Sequence, residues 1–125
     1  IMAGDGPLAD AVATHTSDHV RSIGYITTNT KWRWFADADI FASLSVYEGM
    51  PIATLEALSF GVPTVLSDIP AHRAVLDNYD ATGVCVQPEQ KDIIKAIDRL
   101  AGSCADVSLP AWDTIASSYL NLINS

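Results

Sequence analysis

The sequence predicts an α/β domain built around a parallel β-sheet. Short apolar runs typical of buried strands alternate with segments of helical periodicity along the 125 residues. Apolar residues make up 49% of the chain and charged residues 18%, which predicts a packed core and excludes a disordered chain. Strands that alternate with helices form parallel sheets with helices on both faces, and ligands bind at the carboxyl ends of the strands.

The individual elements follow from apolar periodicity and from Gly and Pro punctuation. The segments with the pattern of buried strands are Ile1–Ala3, Val20–Ile26, Asp39–Ser45, Pro63–Ser67 and Gly83–Gln87. The helical segments are Leu8–His15, Thr30–Ala36, Ile52–Phe60, Pro70–Asp77, Lys91–Ala101 and Trp112–Ile123. We therefore expect one Rossmann-like domain over residues 1–125. Because the chain starts within a strand, we also expect that further βα units precede Ile1.

Charge and hydropathy narrow the function classes. The net charge is −8 and the seven Lys and Arg residues are scattered, which argues against a nucleic-acid or anionic-membrane surface. No apolar run reaches the ~18 residues of a membrane helix. Cys85 and Cys104 have no metal-ligand spacing and form no disulfide framework, so we expect reduced thiols and a cytoplasmic protein.

The segment YEGMPIATLEALSFGVP, residues 47–63, places two glutamates around the start of a predicted helix. Glu48 lies in the loop after the strand Asp39–Ser45, and Glu56 lies on the second turn of the helix that begins at Ile52. Free N–H groups and the helix dipole attract an anion such as a diphosphate to this helix terminus. A carboxylate accepts two hydrogen bonds and suits the vicinal hydroxyls of a ribose or hexose. From spacing alone, a nucleotide-sugar site and two solvated glutamates remain equal alternatives.

A wider set of segments resembles one enzyme family. EGMPIATLEALSFGVPTVLSDIP is similar to the signature of the family-4 (group 1) retaining glycosyltransferases, which have the two-domain GT-B fold and a Glu, seven residues, Glu motif. The segments GDGPL, IGY, ADIF and GVCVQP, which start at Gly4, Ile23, Ala38 and Gly83, match the donor-binding half of that family in the same order. The chain thus resembles part of the C-terminal, donor-binding domain of a GT-B enzyme.

The resemblance implies a reaction and roles for individual residues. It implies sugar transfer with retention from a donor such as a UDP- or GDP-sugar to a hydroxyl acceptor, as in polysaccharide biosynthesis, without a metal or other cofactor. The residue matching Glu48 contacts the transferred sugar, and the one matching Glu56 binds the ribose. The loop of Gly49, Met50, Pro51 and Ile52 holds sugar and phosphate oxygens through its backbone N–H groups, although Pro51 has none. The residues that border the base match Gly4, Asp5, Gly6, Tyr25, Ile26 and Thr27.

Two features of the family have no match in this chain. The family neutralises the diphosphate with an Arg and a Lys upstream of the strand that begins here, and it also needs an N-terminal acceptor domain. A single helix terminus supplies only about half an elementary charge. We therefore expect the chain alone to be inactive. The apolar stripe of Trp112–Ile123 is expected to be partly exposed or to pair with a second copy.

Other interpretations remain as alternatives or fail on specific residues. A catalytically silent nucleotide-sugar-binding module and a GT-B-type epimerase remain open. Gly4, Gly6 and Ala9 fit a loose dinucleotide fingerprint, but the acidic residue expected about 20 positions later is absent, which argues against a dehydrogenase. We expect Asp68 to cap the helix at Pro70. The histidines have no partner at ligand spacing, so we expect them to be solvated: His15, His19 and His72.

Overall fold

The computed structural model of the chain describes residues 1–105. The chain divides into two compact units, Ile1–Asp37 and Ala38–Ser125, of which the second is described as far as residue 105. The predicted helix Trp112–Ile123 and its expected pairing surface lie outside the described residues.

The second unit carries the βα alternation that the sequence predicts. Its elements in chain order are β1 Phe41–Ser43, α3 Ile52–Ser59, β2 Thr64–Ser67, α4 Pro70–Tyr79, β3 Gly83–Val86 and α5 Gln90–Leu100. The first unit contains α1 Ala9–Ala13 and α2 Thr28–Ala36. The predicted helix and strand bounds differ from the observed ones by one to two residues at most ends, as expected where helix ends fray.

The three strands form a parallel sheet in the order β1-β2-β3, so the predicted α/β class is confirmed. Phe41 pairs with Thr64 at the start of the β1–β2 ladder, and Thr64 pairs in turn with Gly83 of β3. Each strand is joined to the next through a helix, as parallel strands require. The carboxyl ends of all three strands therefore meet at one edge of the sheet.

The central strand β2 is buried along its whole length because helices cover both of its faces. On one face, Val65 packs in an apolar cluster with Val86 of β3 and with Ala96 and Leu100 of α5. Side chains alternate across a strand, so Thr64 points to the opposite face, where Leu76 of α4 approaches Gly83. This two-sided cover explains why all four residues of β2 are buried, rather than alternate ones.

Gly83 lies at the tightest contact between β2, β3 and α4. A Cβ atom placed there would lie 2.4 Å from Thr64 Oγ1, 2.7 Å from Leu76 Cδ2 and 3.0 Å from the Thr64 carbonyl oxygen. The Leu76 side chain can rotate away, but the carbonyl belongs to the central strand and cannot move without disturbing the ladder. Glycine at this position is therefore required by packing.

We expect Gly83→Ala to lower the free energy of unfolding by about 1 to 3 kcal/mol, the usual cost of overpacking a tight core. Chemical denaturation monitored by far-UV circular dichroism measures the change. The double variant Gly83→Ala/Thr64→Ala removes the nearest clashing atom and should recover part of the loss. A Gly83→Ala variant as stable as the parent would contradict the close approach of these elements.

The first unit contains less regular structure than the sequence predicts. The expected strands Ile1–Ala3 and Val20–Ile26 meet in a single parallel bridge between Met2 and Ser22. Ile1 and Met2 are 61% and 47% exposed, so the expectation of a buried strand at Ile1 is wrong within this unit. Parallel pairing normally needs helices on both faces, and these two short segments bond to each other through few hydrogen bonds.

Candidate functional site

Glu48 lies in the loop that follows β1 at the carboxyl edge of the sheet. The loop runs from Leu44 to Pro51 and leads into α3. Glu48 is half-buried, and one carboxylate oxygen, Oε1, accepts a hydrogen bond of 2.7 Å from the Ser45 hydroxyl. The Ser45 hydroxyl also lies 3.3 Å from that of Ser43 at the end of β1. The carboxylate is thus anchored to the end of the strand while it remains accessible to solvent.

The amino terminus of α3 presents backbone donors beside Glu48. Among residues 1–105, the N–H groups of Gly49, Met50 and Ala53 donate to no protein acceptor. The Ile52 N–H donates to the Met50 carbonyl at 2.9 Å in this structure, and its role as a donor to the ligand stays a prediction. Pro51 occupies the N-cap position without a side-chain cap, so the terminus is open to an external acceptor.

Glu56 lies on α3, as predicted. It is half-buried and begins the second turn after Ile52, about 6 Å further along the axis at ~1.5 Å per residue. Its carbonyl oxygen accepts a hydrogen bond of 2.7 Å from the Ser59 hydroxyl. The two predicted carboxylates therefore belong to one continuous loop-helix segment and flank the open helix terminus.

Sequence reasoning missed a polar group at the same edge of the sheet, formed by Ser45, Ser67 and His72. The Ser67 hydroxyl, at the end of β2, donates to the Ser45 carbonyl. His72 Nδ1 lies 3.1 Å from the Ser67 hydroxyl oxygen and 3.0 Å from the Ser67 carbonyl oxygen. The expectation that His72 is solvated is wrong, because its side chain is fully buried. The sequence indicated this group only through the serines that end the two predicted strands Asp39–Ser45 and Pro63–Ser67.

Asp68 does not cap α4, contrary to the sequence-based expectation. Ile69 is the N-cap residue and makes no side-chain cap, because Asp68 instead pairs with Arg73 through both carboxylate oxygens, with Arg73 Nη2 at 2.6 Å from Oδ2. Gln87, after β3, donates to the same Oδ2 at 3.2 Å. The hydrogen bond from Arg73 holds the pKa of Asp68 below its usual value. The Asp68–Arg73 pair thus joins the end of β2 to α4, and the hydrogen bond from Gln87 joins the end of β3 to the same carboxylate.

The residues expected to border a base lie in the first unit. Gly4 donates to the Gly24 carbonyl at 2.8 Å, which brings the Gly4–Gly6 turn beside the Gly24–Thr27 segment. Gly4 and Gly24 have φ values of 140° and 65°, which favour glycine. Gly4 and Gly6 also line a cavity of about 280 Å³ with Ser22. Exposed side chains belong to Asp5, Tyr25 and Thr27, whereas Ile26 is half-buried.

The family assignment rests on most of the chain rather than on one motif. The family described as "Glycosyl transferases group 1" matches residues 1–103, which includes both predicted glutamates and both glycine-containing turns. The chain belongs to this family. Its sheet, its α3 terminus and its two glutamates all lie within the part of the chain that matches this family.

The chain is also similar to a known protein. It is 26% identical over 140 residues to "Uncharacterized glycosyltransferase MJ1607" of Methanocaldococcus jannaschii. The alignment covers 98% of this chain and 36% of the relative. This chain thus spans about a third of the relative's length.

The surface next to Glu48 also exposes apolar side chains. The loop and the first turn of α3 expose Val46, Tyr47, Met50 and Ile52, with Val46 91% exposed. Neither a membrane-spanning helix nor a cluster of three metal-ligating side chains occurs within residues 1–105 of the chain. Cys85 and Cys104 are free thiols, and burial raises the pKa of Cys85.

Proposed function

We propose that this chain is the donor-binding part of a retaining, GT-B-type glycosyltransferase of family 4, which moves a sugar from a nucleotide-sugar to a hydroxyl acceptor. The observation that carries the proposal is the arrangement around Glu48. A half-buried carboxylate, fixed by Ser45, lies next to the unpaired N–H groups of Gly49, Met50 and Ala53 at a helix terminus. A carboxylate for sugar hydroxyls beside donors for phosphate oxygens suits a sugar diphosphate.

In this proposal, each site residue binds a different part of the donor. Glu48 orients the transferred sugar, and its charge favours the positive character that grows at the anomeric carbon. The free N–H groups of Gly49, Met50 and Ala53 receive oxygens of the sugar and diphosphate. Glu56 accepts hydrogen bonds from the ribose diol. The Gly4–Gly6 turn and the Tyr25–Thr27 segment border the base of a donor such as a UDP- or GDP-sugar.

The segment that contains the α3 terminus has no basic residue of its own for the diphosphate. No Lys or Arg occurs from residue 34 to residue 72, and Arg73 is engaged with Asp68. This observation favours a second candidate function, a module that binds a nucleotide-sugar without catalysing transfer. In the first proposal, basic residues of the whole enzyme that lie outside this chain supply the positive charge for the diphosphate. The acceptor domain also lies outside this chain. The first proposal involves neither a metal ion nor an organic cofactor.

A transfer assay on the full-length protein separates the two candidates. The protein is incubated with UDP-, GDP- and ADP-sugars and a panel of hydroxyl acceptors, with and without EDTA, and release of nucleoside diphosphate is followed. NMR of the product gives the anomeric configuration. The proposal expects a product with the donor's configuration and activity that survives EDTA. An inverted product would overturn retention, and donor binding without transfer would favour the silent module. Interconversion of donor sugars without transfer would favour an epimerase.

The missing cation predicts weak binding by the 125-residue chain on its own. We expect it to bind UDP, GDP or ADP with a Kd of about 1 mM, equivalent to roughly −4 kcal/mol. Isothermal titration calorimetry measures the affinity, with the free nucleoside as a control that lacks the diphosphate. Micromolar affinity for any of the three diphosphates would show that the helix terminus alone compensates the charge.

A further inference from the structure

His72 is the most deeply buried ionisable side chain at the carboxyl edge of the sheet, and the proposed mechanism does not use it. Its ring is fully excluded from solvent between the start of α4 and the end of β2. Nδ1 contacts both oxygens of Ser67, whereas Nε2 has no hydrogen-bond partner among the described residues. An apolar side chain could fill this space without burying an unpaired nitrogen. What the ring adds is therefore its Nδ1 hydrogen bond.

The protons available on Ser67 and His72 determine the direction of that hydrogen bond. The Ser67 carbonyl oxygen, 3.0 Å from Nδ1, can only accept, so Nδ1 must carry the proton. The Ser67 hydroxyl has a single proton and donates it to the Ser45 carbonyl. Its oxygen is then free to accept from Nδ1 at 3.1 Å. The ring therefore donates from Nδ1, and in its neutral form Nε2 is a bare acceptor.

The hydrogen bonds of His72 and Ser67 continue through Ser45 to Glu48. The paired residues of β1 and β2 end at Ser43 and Leu66, so Ser45 lies beyond the ladder and is not held by strand pairing. Instead of a ladder hydrogen bond, the Ser67 hydroxyl donates a hydrogen bond to the Ser45 carbonyl and fixes its position. Ser45 in turn donates its hydroxyl to Glu48 Oε1 at 2.7 Å. An uninterrupted series of contacts thus connects His72, Ser67, Ser45 and Glu48.

We propose that Ser67 and His72 are positioning residues that set the location of the Glu48 carboxylate through Ser45. This inference rests on the proposed function, because it assumes that Glu48 faces the transferred sugar. His72 orients the Ser67 hydroxyl toward Ser45, and Ser67 fixes the loop from which Glu48 projects. Loss of either contact releases Ser45, so that Glu48 samples positions that do not support transfer.

The test uses steady-state kinetics of the full-length protein with a nucleotide-sugar that it turns over. We expect Ser67→Ala and His72→Leu each to lower kcat about fivefold, the equivalent of one lost neutral hydrogen bond, with the donor KM within about twofold. His72→Asn should keep most of the turnover. The asparagine nitrogen is as many bonds from Cα as Nδ1 and can donate to the same oxygens.

Thr64→Val is the matched control for a buried hydroxyl on the same strand. The Thr64 hydroxyl is buried without a hydrogen-bond partner among the described residues, so its removal breaks none of these contacts. We expect parent kinetics and a Tm equal to or above that of the parent. All assays are run well below the Tm of each variant. Equal turnover of His72→Leu and His72→Asn, or a parent kcat in Ser67→Ala, would overturn the positioning role.

A double-mutant cycle with Glu48 tests whether the effect passes through that carboxylate. In a Glu48→Gln background, Ser67→Ala should lower kcat by less than about twofold, because the group it positions has already lost its charge. A full fivefold loss in that background would overturn the inference. If Ser67→Ala and Glu48→Gln both turn over at the parent rate, the proposed function fails instead. The ¹⁵N spectrum of the imidazole is independent of activity, and a proton found on Nε2 alone would overturn the hydrogen-bond series.

Discussion

Glu48→Gln is expected to lower the turnover number of the full-length enzyme about a hundredfold, with a much smaller change in the donor KM. The substitution keeps the shape of the side chain and removes its negative charge. In the proposed mechanism that charge counts most when positive character grows at the anomeric carbon. An interaction that strengthens in the transition state lowers kcat when it is lost, whereas uniform binding energy appears in KM.

The local structure makes this substitution a clean test of charge. Ser45 donates its hydroxyl to Glu48 Oε1, and the amide oxygen of glutamine can accept the same hydrogen bond. The loop should therefore keep its conformation. Glu89→Gln is the matched control, because Glu89 is exposed, pairs with Lys91 at 2.9 Å and carries the same charge. Parent turnover in Glu48→Gln, or an equal loss in Glu89→Gln, would contradict the assignment of Glu48.

Local patterns sufficed to predict the second unit. The apolar runs around Phe41, Val65 and Val84 are bounded by Gly, Pro and polar residues, and each became a parallel strand. Pro70 at the first position of α4, and Gly61 just after α3, mark helix ends that the structure contains. The positions of Glu48 and Glu56 followed directly, because both are fixed by the end of β1 and the start of α3.

What the sequence did not predict depends on contacts between elements. Whether Val20–Ile26 forms a hydrogen-bonded strand ladder depends on packing by other helices and strands. Hydrophobic periodicity does not report that packing. His72 lacked a partner at ligand spacing, yet its partners are oxygens of Ser67, one of them a backbone carbonyl. Asp68 has the residue type of a helix cap, but the bidentate guanidinium of Arg73 is the stronger partner. Composition and spacing cannot rank such competing partners.

Glu56→Ala is expected to give the opposite kinetic signature. If Glu56 accepts hydrogen bonds from the ribose diol, those bonds are present equally in the bound donor and in the transition state, because the ribose does not react. Their loss should raise the donor KM at least about tenfold and leave kcat close to the parent value. A hydrogen bond to a charged acceptor is worth about 1.5 to 3 kcal/mol, which corresponds to roughly ten- to a hundredfold in binding.

A donor series sharpens the assignment of Glu56 to the ribose. Parent and Glu56→Ala enzymes are compared with the natural nucleotide-sugar and with its 2′-deoxy analogue, which lacks one of the two hydroxyls. The parent should lose affinity for the analogue, and Glu56→Ala should discriminate little between the two donors, because the group that reads the diol is gone. Glu56 begins the second turn of α3, so the alanine variant should keep the helix and the Gly49–Ile52 loop. Undiminished discrimination in Glu56→Ala, or a loss confined to kcat, would mean that Glu56 does not contact the ribose. A reversed pattern in the two variants, with KM changed by Glu48→Gln and kcat by Glu56→Ala, would exchange their roles.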